Sequence, residues 1–367
     1  MKLGTRSILH FSLAASLLSV VGLPQVLAAQ DSSPLTVEQF QSQQHAAWRQ
    51  TMHSTPTFHE GCFHASFPST EWTQVDCVAA PAYRSAVPNI TGRLQTAGNG
   101  YDYVAQSPTG SLISAATGSF PVVTDVTSEK GANVPFGSGE SDGITGTNQY
   151  TLQVNTNIVN TKACAGYTGC YAWQQYVIST DTPVSLTSSS LTGKTEVFIE
   201  YWLINYGSST RASCPTGFIN GGADSTGVDC VQNTPAVVVY SGQLPAADLA
   251  SLQLSGTAVA SGTDKATATY GTEAYTATVA DSYTDIASAW TQAEFNVVGN
   301  AGGSRADFNK GASLTVKVAI TDGSTTTPTC LAPSGYDGTT GETNNLTLKS
   351  CTATGGSTPY IEFVESD

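Results

Sequence analysis

The chain reads as an all-β protein, an antiparallel β sandwich stapled by disulfides. Three observations predict this. From Gly61 onward, short runs of alternating polarity are separated by Gly, Ser, Asn and Pro, and Thr and Ser are dense. Only one stretch beyond the N-terminal leader has the composition of a helix. Eight cysteines, Cys62, Cys77, Cys164, Cys170, Cys214, Cys230, Cys330 and Cys351, all follow the leader. An even count in an exported chain reads as a set of disulfides.

The leader comes first. Lys2 and Arg6 precede an apolar run from Ile8 to Leu27 that ends in Ala28 and Ala29. That order of basic, apolar and small residues predicts a signal peptide over 1–29 and a secreted protein, extracellular or periplasmic. No later run approaches the ~18 apolar residues that span a bilayer, so no membrane span is expected after cleavage. Residues 30–60 read as an N-terminal helical arm or propeptide. Its helix runs over 35–54, opening at Thr36-Val37-Glu38-Gln39 and stopping at Ser54-Thr55-Pro56. Residues 61–367 show no repeat and no long linker, and read as one β-sandwich domain. Strands are expected at Phe120 to Val126, Tyr150 to Val159, Trp173 to Ile178, Val197 to Tyr206, Ala289 to Val298 and Leu314 to Ile320, among others. Eight cysteines allow 105 connectivities. Grouped by proximity along the chain, they favour 62–77, 164–170, 214–230 and 330–351.

Charge excludes one class of partner. The chain has 14 Lys and Arg against 28 Asp and Glu, and such a surface repels phosphate backbones, so no nucleic acid is expected. Few basic residues also means little positive self-repulsion once the carboxylates are protonated, which suits an acidic medium.

The motif inventory narrows the chemistry. There is no Gly-x-Ser-x-Gly elbow, no phosphate loop and no His-Glu-x-x-His. His45, His53, His59 and His64 are spaced through a polar segment and read as solvated, and no Cys-x-x-Cys occurs, so neither metal nor cofactor is expected. Carboxylates and amides remain. In a strand, successive side chains alternate between faces. Gln149, Thr151, Gln153, Asn155 and Asn157 therefore share one face, opposite Tyr150, Leu152, Val154 and Thr156. Likewise Gln292, Glu294 and Asn296 oppose Ala293, Phe295 and Val297. Such faces are commonly solvated, but uncharged amides also suit a groove that binds a polar polymer, peptide or sugar. Glu200 lies in Val197 to Ile204, a run apolar on both faces. That marks a central strand, where a carboxylate would be desolvated and its pKa raised, so Glu200 is a candidate partner carboxylate.

Ala293-Glu294-Phe295-Asn296-Val297, followed after a Gly-rich turn by Arg305-Ala306-Asp307-Phe308, resembles the segment bearing the catalytic Glu in the eqolisin family of glutamic peptidases. Leu152-Gln153 resembles that family's catalytic Gln strand, and the Gln precedes the Glu in both. Tyr171-Ala172-Trp173 is similar to the family's aromatic segment, with Gln174 and Gln175 standing where further aromatics would be expected. The resemblance implies a concanavalin-like double-sheet sandwich, secreted and acid-active, without cofactor, acting on polypeptide. It implies Gln153 and Glu294 as the catalytic pair. From the strand faces and the central-strand reading, Glu200, Asn155, Trp173 and Asn296 are the candidates to line the groove or partner the pair. Gly341 to Leu348 is also similar to an element of bacterial secreted proteins of unassigned function. A second reading is a non-catalytic carbohydrate-binding or adhesion-like module, using Trp173, Tyr176, Trp202 and Tyr206 to stack on sugars. Asn89-Ile90-Thr91 and Asn345-Leu346-Thr347 are glycosylation sequons.

Overall fold

A computed structural model describes residues 36–82, 87, 98, 100–136, 143–185, 190–223, 226–335 and 340–367. The leader and the sequon at Asn89 lie outside these residues. Two large antiparallel sheets face each other. The back sheet has nine strands in the order Thr73–Val75, Gly61–Ser66, Glu273–Ala280, Thr263–Tyr270, Leu252–Thr257, Ala115–Thr124, Ser313–Thr321, Tyr360–Ser366 and Thr347–Thr354. The front sheet runs Ile219–Ala223, Val228–Asn233, Thr195–Tyr206, Tyr171–Ser179, Tyr150–Thr156, Gln292–Gly299, Val104–Gln106 and Thr329–Leu331, with Val237–Tyr240 also paired to Thr195–Tyr206. A smaller four-stranded sheet contains Glu129–Asn133 and Ser304–Phe308. The predicted all-β sandwich is the fold observed.

The core forms where the two inner faces meet. Leu152, Val154, Tyr176, Ile178, Val197, Ile199, Phe295 and Val297 of the front sheet pack on Phe120, Leu252, Leu254, Ala266, Ala268, Leu314, Val316 and Phe363 of the back sheet. Two glycines make room for the largest rings. A side-chain carbon on Gly118 would overlap the Phe295 ring, and one on Gly256 would overlap Tyr176. These are close approaches that a β-carbon would block.

The four disulfides are the four local pairs expected, 62–77, 164–170, 214–230 and 330–351. The last joins Thr329–Leu331 at the edge of the front sheet to Thr347–Thr354 at the edge of the back sheet.

The helix runs over Val37–Ser54. Thr36 Oγ1 accepts from the Gln39 backbone N–H, and Gln39 Oε1 accepts from the Thr36 N–H, a reciprocal cap that satisfies two end groups. Trp48 and Met52 pack on Phe63, Ala65, Trp72 and Ala274 of the back sheet's outer side. His53 corrects the expectation of solvated histidines. The last helical turn presses it onto Leu252–Thr257, where it is buried. Gln253 Oε1, 3.0 Å away, can only accept, so His53 Nε2 donates and Nδ1 accepts from the Ser255 hydroxyl at 2.8 Å. His64 instead meets Glu273 at 2.7 Å, and His45 lies edge-on to Phe67.

Buried titratable groups set how stability follows pH. Burial pushes the carboxyls of Glu129, Asp264 and Glu365 up to about 8, with the neighbouring charges of Asp307, Asp281 and Asp102 adding to the respective shifts. A raised folded-state pKa gives stability that is full below the ordinary carboxylate range and is lost as pH rises through about 8. Burial lowers His53 to about 4, with Lys265 and Arg49 adding repulsion, so its contribution is present above its ordinary 6.5 and is lost as pH falls toward 4. Three groups favour acid and one opposes it, each by about 1.4 kcal/mol per pH unit within its window. The melting temperature is expected to be higher at pH 4.5 than at pH 8, and calorimetry finding the reverse order would refute this ledger. Replacing Cys330 and Cys351 by Ser is expected to lower the unfolding free energy by about 3 kcal/mol in denaturant titration, since the bridge closes a loop of moderate length.

Candidate active site

Front-sheet register brings the predicted residues together. In Gln292–Gly299 and Tyr150–Thr156, Glu294 lies opposite Asn155 and Asn296 opposite Gln153. The next pairings set Asn155 opposite Gln175, Gln175 opposite Glu200 and Glu200 opposite Asn233. Directly paired residues share a face, so one row across the outer side of the sheet reads Glu294, Asn155, Gln175, Glu200, Asn233. Gln153 and Asn296 occupy the adjacent row. Gln153 and Glu294 are diagonal neighbours, about 7–8 Å apart at their α-carbons, within reach of two long side chains. This arrangement follows from alternation. Phe295 points into the core between Glu294 and Asn296, and Leu152 and Val154 do the same around Gln153.

The amides form a connected network. Gln153 Oε1 accepts from Gln175 Nε2 at 3.0 Å and from Asn155 Nδ2 at 3.3 Å. Gln153 Nε2 donates to Thr151 Oγ1 at 3.0 Å, and that hydroxyl donates to Gly299 O at 3.0 Å. Asn155 Oδ1 is buried and accepts no hydrogen bond among the described residues. Glu200 is fully buried and accepts from Trp202 Nε1 at 3.0 Å. At about 4.8 Å per strand, Glu200 stands about 14 Å from Glu294, too far for one water to touch both. It lines the same face rather than pairing with Glu294. Asn296 Nδ2 donates to Asp102 Oδ1 at 2.8 Å and to Glu365 Oε2 at 3.0 Å, bridging two carboxyls at the end of the row. Trp173 packs beside Trp202, Ile158 and Val231 and donates its N–H to Thr156 O.

One expectation is corrected. The polar face is not an open, solvated groove. Glu294 is 1% exposed and Gln153 2%. Asn233 Nδ2 donates to Pro81 O at 2.9 Å, Val87 packs against the Trp173–Trp202 cluster, and Gly98 abuts Glu294 and Asn155. A side-chain carbon on Gly98 would collide with the Glu294 carboxyl and sit 2.6 Å from Asn155 Nδ2. The sugar-stacking platform is likewise not assembled. Trp173 and Trp202 are buried on the outer side, while Tyr176 belongs to the core on the opposite face. Alternation forbids residues three apart in one strand from sharing a face.

Sequence reasoning missed Gln175, Asp102 and Glu365. Gln175 had a usable signal, because alternation from Trp173 places it on the Trp173 face. Asp102 had none, because it reaches Asn296 from a loop; Glu365, on the far sheet, had one, since alternation places it on the buried face of Ile361 and Phe363.

No protein-family model matches the chain, and no curated protein does. Among solved structures, the chain is similar to SCP-B, a member of the eqolisin family of peptidases, in complex with the tripeptide Ala-Ile-His. Identity is 14%, coverage 69% of this chain and 98% of that one, and the TM-score 0.22. It is also similar to scytalido-glutamic peptidase with a peptide-based transition-state analogue, at 16% identity, the same coverages and a TM-score of 0.21. A likeness of this size leaves the site's own geometry to carry the functional reading.

Gly98 has φ +65°, a conformation that favours glycine. Gly98→Ala is expected to cost about 1–3 kcal/mol of unfolding free energy through strain and overlap with Glu294. An unchanged urea midpoint would mean that Gly98 does not pack on the carboxyl in solution.

Proposed function

We propose that this protein is a secreted acid endopeptidase in which Glu294 and Gln153 activate water for peptide-bond hydrolysis. The observation that carries the reading is the diagonal placement of these two side chains on one face of directly paired strands. Glu294 takes a proton from the attacking water as the new C–O bond forms. Gln153 orients that water and donates an amide N–H to the oxyanion. Glu294 then returns the proton to the leaving nitrogen as the C–N bond breaks. An amide can serve both roles because it carries a donor and an acceptor. A carboxyl that alternates between base and acid works where it is partly protonated, so activity peaks in acid. The step uses no cofactor.

Three features support this reading. The composition tolerates acid, the folded state holds buried carboxyls that bind protons more tightly than the unfolded chain, and four disulfides suit an oxidising exterior. Because Gly98 lies against Glu294, an extended polypeptide reaches the carboxyl by taking the place of that backbone. The helix Val37–Ser54 packs on the outer side of the back sheet, on the opposite side of the sandwich from the site.

Cleavage of an unfolded protein substrate across pH 2 to 7 tests the proposal. The secreted chain is expected to cut in acid only, with Glu294→Gln and Gln153→Ala each losing at least about 100-fold in kcat. Acid proteolysis that survives Glu294→Gln would overturn the mechanism.

A further inference from the structure

The hydrogen bonds around Gln153 determine which end of its amide faces which way. From one side, the Thr151 hydroxyl spends its proton on Gly299 O and so can only accept from Gln153. The Gln153 nitrogen is thereby drawn to Thr151. From the other side, Gln175 Nε2 points at Gln153 Oε1 from the neighbouring strand, and a flipped Gln153 would set two N–H groups against each other. Asn155 Nδ2 adds a longer contact to the same oxygen. Gln175 itself is held rigidly. It is fully buried, on a strand paired along its length to Tyr150–Thr156 on one side and Thr195–Tyr206 on the other.

We infer that Gln175 is a positioning residue, which holds the Gln153 amide with its nitrogen available to a developing oxyanion. The inference rests on the Gln153–Glu294 reading above. Gln175 touches neither water nor substrate in that scheme and acts only through Gln153. The residue type matters. A glutamine side chain does not ionise, so it donates at every pH, whereas a glutamate in its place would donate only while protonated. The ionised form can only accept and would turn the Gln153 nitrogen toward itself. The choice of amide over carboxyl at position 175 therefore separates the orientation of Gln153 from the titration that governs Glu294.

The test compares the full chain with Gln175→Glu and Gln175→Leu by two readouts. The first is the pH profile of kcat and KM on an unfolded protein substrate. Gln175→Glu is expected to match the wild type within about threefold at the acid extreme. Burial raises the new carboxyl above the ordinary carboxylate range, so kcat should fall below the wild type only at the neutral end of the profile, where that carboxyl begins to ionise. Gln175→Leu is expected to lose about tenfold or more in kcat at every pH, with KM little changed. The second readout needs no activity. In deuterated protein with labelled glutamine amides and protonated threonine methyls, the Gln153 side-chain NH2 should show a nuclear Overhauser effect to the Thr151 methyl. In Gln175→Glu that effect should weaken as pH rises and be replaced by one to residue 175. An unmoved amide together with an unshifted pH profile in Gln175→Glu overturns the positioning role, even if Glu294-dependent cleavage stands. A turned amide in a chain that never cleaves keeps the positioning role and removes the peptidase reading instead.

Discussion

The seating of Phe295 against the back sheet is the contact on which the rest of the site depends. Its ring fills the space over Gly118 and packs 5.1 Å from the Phe120 ring. With Phe295 pinned inward, Glu294 and Asn296 must point outward, and the register against Tyr150–Thr156 follows. A slip of one residue would bury Glu294 in the apolar core and set Phe295 among the amides of the polar face, so the two states are separated by several kcal/mol. The outward row is thus fixed by an inward ring, and the polar side chains inherit their positions from a hydrophobic one.

That outward face is unusual in being polar and buried together. Burying unpaired polar groups costs free energy, and burying charges costs more. The structure limits that cost by using amides where other proteins use ions. Gln153, Asn155 and Gln175 share hydrogen bonds, and Asn233 donates to Pro81 O, without carrying charge. Carboxyls stand within the row, at Glu294 and Glu200. The same preference appears across the described residues, where ion pairs are limited to the partly exposed His64–Glu273 and Arg305–Asp307. A fold built this way loses few attractions when its carboxylates are neutralised.

Much of the fold was legible because the signals were local. Thr36 and Gln39 announced the helix start, alternation identified the strands around Gln153 and Glu294, and each cysteine found the partner nearest in sequence. A run apolar on both faces also placed Glu200 correctly in a central strand. The assembled site was only half legible. Which face each side chain takes is a property of its own strand, but adjacency of Tyr150–Thr156 to Gln292–Gly299 is set by sheet topology across more than a hundred intervening residues. Gln175 is masked by its position, where the resemblance leads one to expect an aromatic. His53 gives no sign of burial, since it lies in locally polar surroundings and is covered only by distant strands, whereas Glu365 shares the strand face of Ile361 and Phe363. The approach of Pro81, Val87 and Gly98 to the polar face was equally hidden, for no pattern in a loop says what it will lie against.

The order of the disulfides carries a consequence for how the protein is made. The eight cysteines pair consecutively, first with second through seventh with eighth, and the last pair clips the two sheets together. For a polypeptide oxidised as it threads end-first out of a membrane pore, pairing each newly emerged thiol with the one just before it already produces the native set. Reshuffling of mismatched bridges, otherwise slow and dependent on an isomerase, is then largely unnecessary. Such a chain should tolerate production in hosts that supply an oxidant but little isomerase.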